Sequence, residues 1–445
     1  MGGLSLTLEI AKKTLLNTQV EINTTSHNIS NADTEGYARQ TAVQTADYAT
    51  RTYGGWIGNG SSISSIVQSR DQFIEAQLRD ATSNASKYST LASQLKSVQS
   101  SFSDDGSTGI SEALGKFWDS WDQLSQNAEG VSEQTSVYAT ADNLAETIRT
   151  SYEQLSTYAT DTIPSEIEDT VKDANSLIHK IADYNTAILK SETSSSKAND
   201  LRDARYQALT ELSALIPVDF TEDANGIATL TTTDASGTVT LVTGGKVNNE
   251  LATDSTISGG KLGGLRESLD DVNSYMDRLN SFAEQLITNV NQLHAKTTDG
   301  TNDGPEVFTA TGTDYAATIT ASTDFLSGQD ATEEASRAVA LSGLQDTNVT
   351  FTFTDPTEPS TTSTLSSFLS DLQERIGSNT EVAKTRQTYY GTIETSLSQQ
   401  QQSVSGVSLD EELVQIIKLQ HIYQAAAKII DATSSLLDTV VSLGK

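Results

Sequence analysis

LDEELVQIIKLQHIYQAAAKIIDATSSLLDTVVSL, residues 409–443, carries an apolar stripe at Leu409, Leu413, Ile416, Tyr423, Ala427, Ile430, Leu437 and Val441. The steps are three, four and seven, which place the stripe along one face of an amphipathic helix. Ser408, followed three residues later by Glu411, predicts a capping box at its start. At the other end of the chain Leu4, Leu8, Ala11, Leu15, Ile22 and Ile29 mark a second such helix, which Asn28, Asn31, Asp33 and Gly36 bring to a close. An isolated helix of this kind is marginal in water. Each stripe therefore requires the other terminus or a neighbouring subunit, and the pattern points to an assembly protein.

Composition narrows the choice of partner. The 445 residues include 28 Lys+Arg and 59 Asp+Glu, a net charge of −31. That sign excludes nucleic acid or an anionic membrane surface as the main partner, since both require positive charge in quantity. Hydrophobic residues make up only 36%, which suits long packed helices better than one large globule. Cysteine is absent, so disulfides, thiolate chemistry and cysteine-based zinc sites are excluded. Glu9, Lys12 and Lys13 interrupt the first apolar residues, which read as a structural helix and not as a cleaved signal.

Between the ends, periodicity predicts a mainly α chain with β insertions (α+β), elongated and nested. Residues 37–70 read as extended and irregular, with a tight glycine turn at 54–60, and a helix follows from about Asp71 to Phe102. Helical signal runs from 109 to Ile216, best defined at Ile167, Val171, Ala174, Ile178, Ile181 and Ile188, with Pro164 at an early helical position. The alternation in VDFTEDANGIATLTTTDASGTVTLVTGG predicts hairpins between Pro217 and Lys261. A heptad-like stripe from Leu265 to Leu293 predicts another helix, NVTFTFT at 348–354 a strand, and 361–377 and 381–402 two further helices. The expected domains are a terminal pair (1–45 with 405–445), a helical body (46–216 with 263–297 and 331–404), a β insertion (217–262), a loop and strand insertion (298–330) and a strand segment (346–360).

No catalytic constellation emerges. None of His27, His179, His294 and His421 is followed by Glu-x-x-His, and no Gly-x-Ser-x-Gly elbow occurs. GGWIGNG (54–60) and GGKLGGL (259–265) fit neither phosphate-binding glycine pattern and read as turns or close backbone approaches. Asp299, Thr301, Asp303 and Gly304 echo a calcium loop, but Ala310 stands where a bidentate Glu is required. Trp118 and Trp121 share one helical face and are expected in a helix–helix core. The expectation is a non-enzyme without metal or cofactor.

HNISNADTEGYARQ (27–40) resembles the N-terminal motif shared by bacterial flagellar rod, hook and hook-associated proteins. GGWIGNGSSISSIVQSRDQFIEAQLRDA (54–81), GGKLGGLRESLDDVNSYMDRLNSFAEQLITNVNQLH (259–294) and QQQSVSGVSLDEELVQIIKLQHIYQAAAKIIDATSSLLDTVVSL (400–443) are similar to the first hook–filament junction family, the hook-associated proteins 1. These blocks cover under half of the chain. Glu35 stands where Pro is common, and the β insertion is short for the family. The resemblance implies a structural axial protein, exported through the flagellar type III channel to the cell exterior, that self-assembles into a ring at the hook–filament junction. It implies as partners the hook protein, the second junction protein and an export chaperone on the C-terminal helix. The assembly surface would comprise Leu4, Leu8, Leu15, Ile22, Ile29, Leu413, Ile416, Tyr423, Ile430, Leu437 and Val441. Flagellin, the second junction protein, and a secreted hydrolase or adhesin remain as alternatives at this point.

Overall fold

Helix dominates the computed structural model, which describes residues 2–52, 55–102, 109–193, 196–223, 226–295, 304–323, 325 and 331–443. In chain order these form α1 (Gly2–Ser30), β1 (Gln40–Ala46), β2 (Thr50–Thr52), β3 (Gly55–Ile57), β4 (Ser61–Gln68), α2 (Gln72–Ser101), α3 (Ile110–Gln126) and α4 (Val131–Thr157). Then come α5 (Ile163–Ser191), α6 (Asn199–Leu215), β5 (Asp219–Glu222), β6 (Ala228–Asp234), β7 (Gly237–Thr243), β8 (Lys246–Val247) and α7 (Gly260–His294). The chain continues through β9 (Phe308–Thr309), α8 (Tyr315–Thr318), β10 (Thr320–Ala321), α9 (Ala331–Ser342), β11 (Val349–Phe351), β12 (Thr361–Ser363), α10 (Leu365–Ser405) and α11 (Leu409–Leu443). This is the expected mainly α chain with β insertions. Among the described residues no helix is long and apolar enough to cross a membrane.

The chain divides into two compact units. The first comprises Met1–Ala85, Val171–Gly260 and Tyr389–Lys445, and the second Ser86–Thr170 and Lys261–Thr388. This grouping cuts the chain differently from the domains expected above. The β sheet falls in the same unit as the terminal helices, because it packs on α5 and α6: Asn185 Nδ2 donates to Gly244 O at 2.8 Å, and Arg205 reaches Glu222 at 2.7 Å.

In the first unit β5–β8 form an antiparallel meander, with Phe220 opposite Leu230 and Thr233 opposite Thr238. Ala228, Leu230 and Thr232 are buried at every second position of β6, the period a half-buried strand requires. Residues 40–68 are more regular than the sequence suggested. β1 and β4 form an antiparallel ladder from Gln40–Gln68 to Ala46–Ser61, with a bulge at Val43/Gln44, and β2 pairs with β3. The serines and threonines that obscure the pattern stand on the half-exposed faces of these strands.

In the second unit Phe117, Trp121 and Leu124 of α3 are fully buried with Leu144 and Ile148 of α4, and Leu279, Phe282 and Leu286 of α7 are equally enclosed. Phe351 stacks on Phe368 with centroids 3.9 Å apart. Two expectations need correction. The helices proposed at 361–377 and 381–402 are one helix, α10; Asn379 donates to Tyr275 Oη at 2.9 Å and Thr380 Oγ1 to Ile376 O at 2.8 Å, so polar residues that look like a break are held within the helix. Nor does α5 start afresh before Pro164. A π-helical turn at Tyr158–Thr162 joins α4 to α5, and the wider turn sits where proline removes an N–H from the ladder. Asp299, Thr301 and Asp303 of the calcium-like loop lie outside the described residues.

Candidate assembly surface

α1 and α11 pair in antiparallel fashion, since Asn28 near the end of α1 touches Glu412 near the start of α11. The inner face of α11 is Glu412, Leu419, Ala426 and Thr433, all at most 4% exposed and spaced by sevens. On α1 the buried positions are Ala11, Asn17, Thr18, Thr24, Thr25 and Asn28. The fully enclosed row of α11 is thus narrow, and Asn17 on α1 faces β4, donating to Ser61 O at 2.8 Å. The α1 threonines satisfy themselves by bonding back one turn, Thr18 Oγ1 to Thr14 O and Thr24 Oγ1 to Val20 O.

This placement separates the residues expected at the interface. Leu4, Leu8, Leu15, Ile22, Ile29, Ile416, Ile430 and Leu437 are half-buried. Leu413, Tyr423 and Val441 are not in the α1 seam; they are exposed, together with Leu409, Val414, Ile417, Ile429, Leu436 and Val440. α11 therefore has one apolar face turned to α1 and a second turned to solvent.

Where the two helices meet, the HNISNADTEGYARQ stretch folds into a buried polar knot. Asn28 Oδ1 accepts from Tyr37 Oη at 2.7 Å and from the Gln40 amide at 2.9 Å. Its Nδ2 donates to Gln40 O at 2.9 Å and to Glu412 Oε2 at 3.1 Å. Arg39 Nε donates to the other carboxylate oxygen of Glu412 at 2.8 Å, and the Arg39 amide to Ser405 O at 2.8 Å. One carboxylate from the C-terminal helix is therefore chelated by two residues of the N-terminal segment. Burial, with Asp203, Asp200 and Glu412 adding, pushes the Tyr37 phenol up and keeps it a proton donor.

A second layer supports the first. Arg70 pairs with Glu75 and Asp203, donates to Gly36 O at 2.6 Å, and lies 4.3 Å over the Tyr206 ring. Gly36 has φ +76°, so the close turn that presents its carbonyl demands glycine. Burial pushes the Asp203 carboxyl up to about 6, against the pull of Arg70. His27 Nε2 is 3.1 Å from Asp200 Oδ1, which also accepts from Gln40 Nε2 at 3.0 Å. The sequence pointed to the motif but not to Arg70, Glu75, Asp200, Asp203 or Glu412. Of these, Arg70 and Glu75 lie in the 54–81 block and Glu412 in the 400–443 block, whereas Asp200 and Asp203 carried no signal.

The histidines are dispersed. His179 meets Glu250 at the surface at 2.7 Å, His421 is exposed, and His294 is buried in the second unit. Trp118 and Trp121 lie in a helical core, as their spacing suggested.

Comparison with known proteins covers almost the whole length. The chain is 26% identical to flagellar hook-associated protein 1 of Bacillus subtilis (strain 168), across 98% of this chain and 97% of that protein. It is 24% identical to flagellar hook-associated protein 1 of Escherichia coli (strain K12), across 96% and 97%. The family model described as flagellar hook-associated protein FlgK helical domain matches residues 95–308.

From end to end the chain is similar to the flagellar hook-associated proteins 1.

Two further models match the parts of the chain that form the knot and the helix pair. Flagella basal body rod protein covers residues 8–37, and flagellar basal body rod FlgEFG protein C-terminal covers 398–443. The flagellar hook junction protein FlgK from Burkholderia pseudomallei shares the fold, with TM-score 0.57 at 14% identity over 74% of this chain and 100% of that one.

Proposed function

We propose that the chain is a structural axial subunit of the bacterial flagellum that forms the hook–filament junction and serves as the platform for filament assembly. Its similarity to hook-associated proteins 1 from end to end carries this reading. The geometry supports it. α1 and α11 are paired along a narrow enclosed row on α11, which leaves its exposed apolar residues for neighbouring copies. Burial of each large side chain there contributes about 1.5–3 kcal/mol, enough for a ring to close over several such contacts.

In this reading the subunits self-assemble on the hook protein and carry the second junction protein above. Before export an amphipathic chaperone helix covers the exposed stripe at Leu413, Tyr423 and Val441. The chain has no catalytic role and leaves the cell through the flagellar export channel. Electron microscopy of flagella labelled with antibody against this chain tests the assignment. Label confined to the hook–filament boundary is expected, and label along the filament would refute it. Secretion with and without a candidate chaperone, followed in the culture medium, tests the export step.

A further inference from the structure

The hairpin of the first unit carries two features that the α1–α11 pair does not use. β2 and β3 continue the β1–β4 ladder in register, with Ala46 facing Ser61 and then Thr50 facing Ile57. The root of this extension is bolted to α1: Lys13 Nζ lies 2.7 Å from Asp47 Oδ2, and Ser62 Oγ donates to Asp47 Oδ1 at 2.8 Å. Its outer part holds large side chains in solvent. Tyr48 is 97% exposed, Trp56 71% and Ile57 45%, whereas Trp118 and Trp121 are buried. Arg51, exposed and directly opposite Trp56, forms no ion pair among the described residues. Tyrosine, tryptophan and arginine are the side chains that most often anchor an interface.

The second feature is a cavity of about 620 Å³ between β4 and the start of α6, also within the first unit. β4 pairs with β1 along one edge; beyond the other, Asn199 Nδ2 donates to Ile66 O at 3.2 Å. Half-buried Ile63, Ile66 and Leu201 line the cavity, and so does Asp200, whose side chain is 70% exposed. Cavities of this size take whole small ligands, so an indole ring has room. The hairpin cannot fill its own cavity. Along the ladder Trp56 lies seven to ten residues from Ile63 and Ile66, roughly 20–30 Å at about 3.3 Å per residue.

We propose that the hairpin docks in this cavity of a second copy, with Trp56 against Ile63, Ile66 and Leu201, and Arg51 paired with Asp200. Charge favours that occupant: in a chain of net charge −31, an unpaired cation beside Trp56 meets an open carboxylate. A ladder with a plug toward one end and a socket further back is complementary head to tail, the arrangement that closes rings. This contact rests on the self-assembly proposed above and adds to it a surface outside α11.

The natural chain has no cysteine, so single-cysteine variants report the contact without ambiguity. Full-length Ile57→Cys and Ser64→Cys proteins are mixed and treated with a short bismaleimide. The mixed dimer should exceed either same-variant dimer about tenfold, and Trp56→Ala added to the hairpin variant should cut its yield about thirtyfold. Circular dichroism should show Trp56→Ala to be as stable as the natural chain, since the ring is mostly in solvent. If Ile57→Cys does not fold, Tyr48→Cys takes its place. A mixed dimer no more abundant than chance pairing, or a yield that Trp56→Ala leaves unchanged, would overturn the docking. Natural protein added to cells lacking their own copy separates this contact from the junction reading. Filaments rescued without the mixed cross-link refute the docking alone; the mixed cross-link without rescued filaments upholds the docking and refutes the junction.

Discussion

Asn28→Asp replaces one NH2 by an oxygen and turns the knot against itself. The acceptor side survives: Tyr37 Oη and the Gln40 amide still find an oxygen where Asn28 Oδ1 stood. The donor side inverts, because Nδ2 sits 3.1 Å from Glu412 Oε2 and a carboxylate oxygen would take its place. Two unit charges about 4 Å apart at an effective dielectric of about 20 repel by about 4 kcal/mol. Arg39 offsets part of this, since its guanidinium already holds Glu412 at 2.8 Å, so a net destabilisation of about 2–4 kcal/mol is expected near neutral pH. Asn28→Ala removes the same donor without adding charge. It leaves buried groups of Tyr37, Gln40 and Glu412 short of partners, at about 1–3 kcal/mol for each that finds no water. The two variants separate on acidification. Protonating the introduced carboxyl restores a donor toward Glu412, so Asn28→Asp should recover on acidification, whereas Asn28→Ala should not. Urea denaturation of dilute protein, followed by circular dichroism at neutral and mildly acidic pH, measures both. Equal pH responses in the two variants would refute the claim that Asn28 works as a donor to Glu412.

Leu419→Asp should unfold the α1–α11 pair in the free subunit, while Leu413→Asp should leave it intact and instead abolish filament attachment; denaturation and filament rescue by externally added protein read the two effects. Glu192 tests the acid limb of stability. Burial alone would raise its carboxyl, but Arg202, Lys197 and the Ala198 amide hold it down to about 2 from 4.5. This depressed carboxyl contributes stability that is present above about pH 4.5 and lost as pH falls through about 2, so Glu192→Gln should remove that step from the acid denaturation profile. Gly36→Ala should cost about 1–2 kcal/mol in thermal unfolding, because φ is +76° there and the added Cβ would lie 2.8 Å from Gln207 Oε1.

What is legible in the sequence follows from period and spacing. The α5 stripe from Ile167 to Ile188 is buried at each of its six positions, because a helix packed on one side displays its period directly. The α7 stripe is legible but too narrow: Leu269, Met276 and Leu293 are half-buried, while Tyr275 and Phe282 complete a wider face. The α1–α11 seam misleads for the opposite reason. The apolar stripe read from the sequence straddles half-buried positions (Ile416, Ile430, Leu437) and exposed ones (Leu413, Tyr423, Val441), while the enclosed row is Leu419, Ala426 and Thr433. Such a row gives weak hydropathy contrast. The knot is legible as a motif and opaque as a mechanism, since its partners Arg70, Asp203 and Glu412 lie far apart in the chain.

The division of labour on α11 explains why one helix carries both kinds of face. A seam of Leu419, Ala426 and Thr433 buries modest apolar area, so on its own it holds the two ends of the chain together weakly. The knot supplies what that seam lacks, namely direction and register. Arg39 and Asn28 grip Glu412 at one end, and a two-helix pair fixed at one end cannot slip by a turn without breaking both contacts. Polar contacts set register at little gain in stability, and apolar area supplies stability at little gain in specificity. The large residues are left free on the outer face. A subunit built this way presents a helix pair of defined register whose remaining large apolar residues stand on the surface of α11.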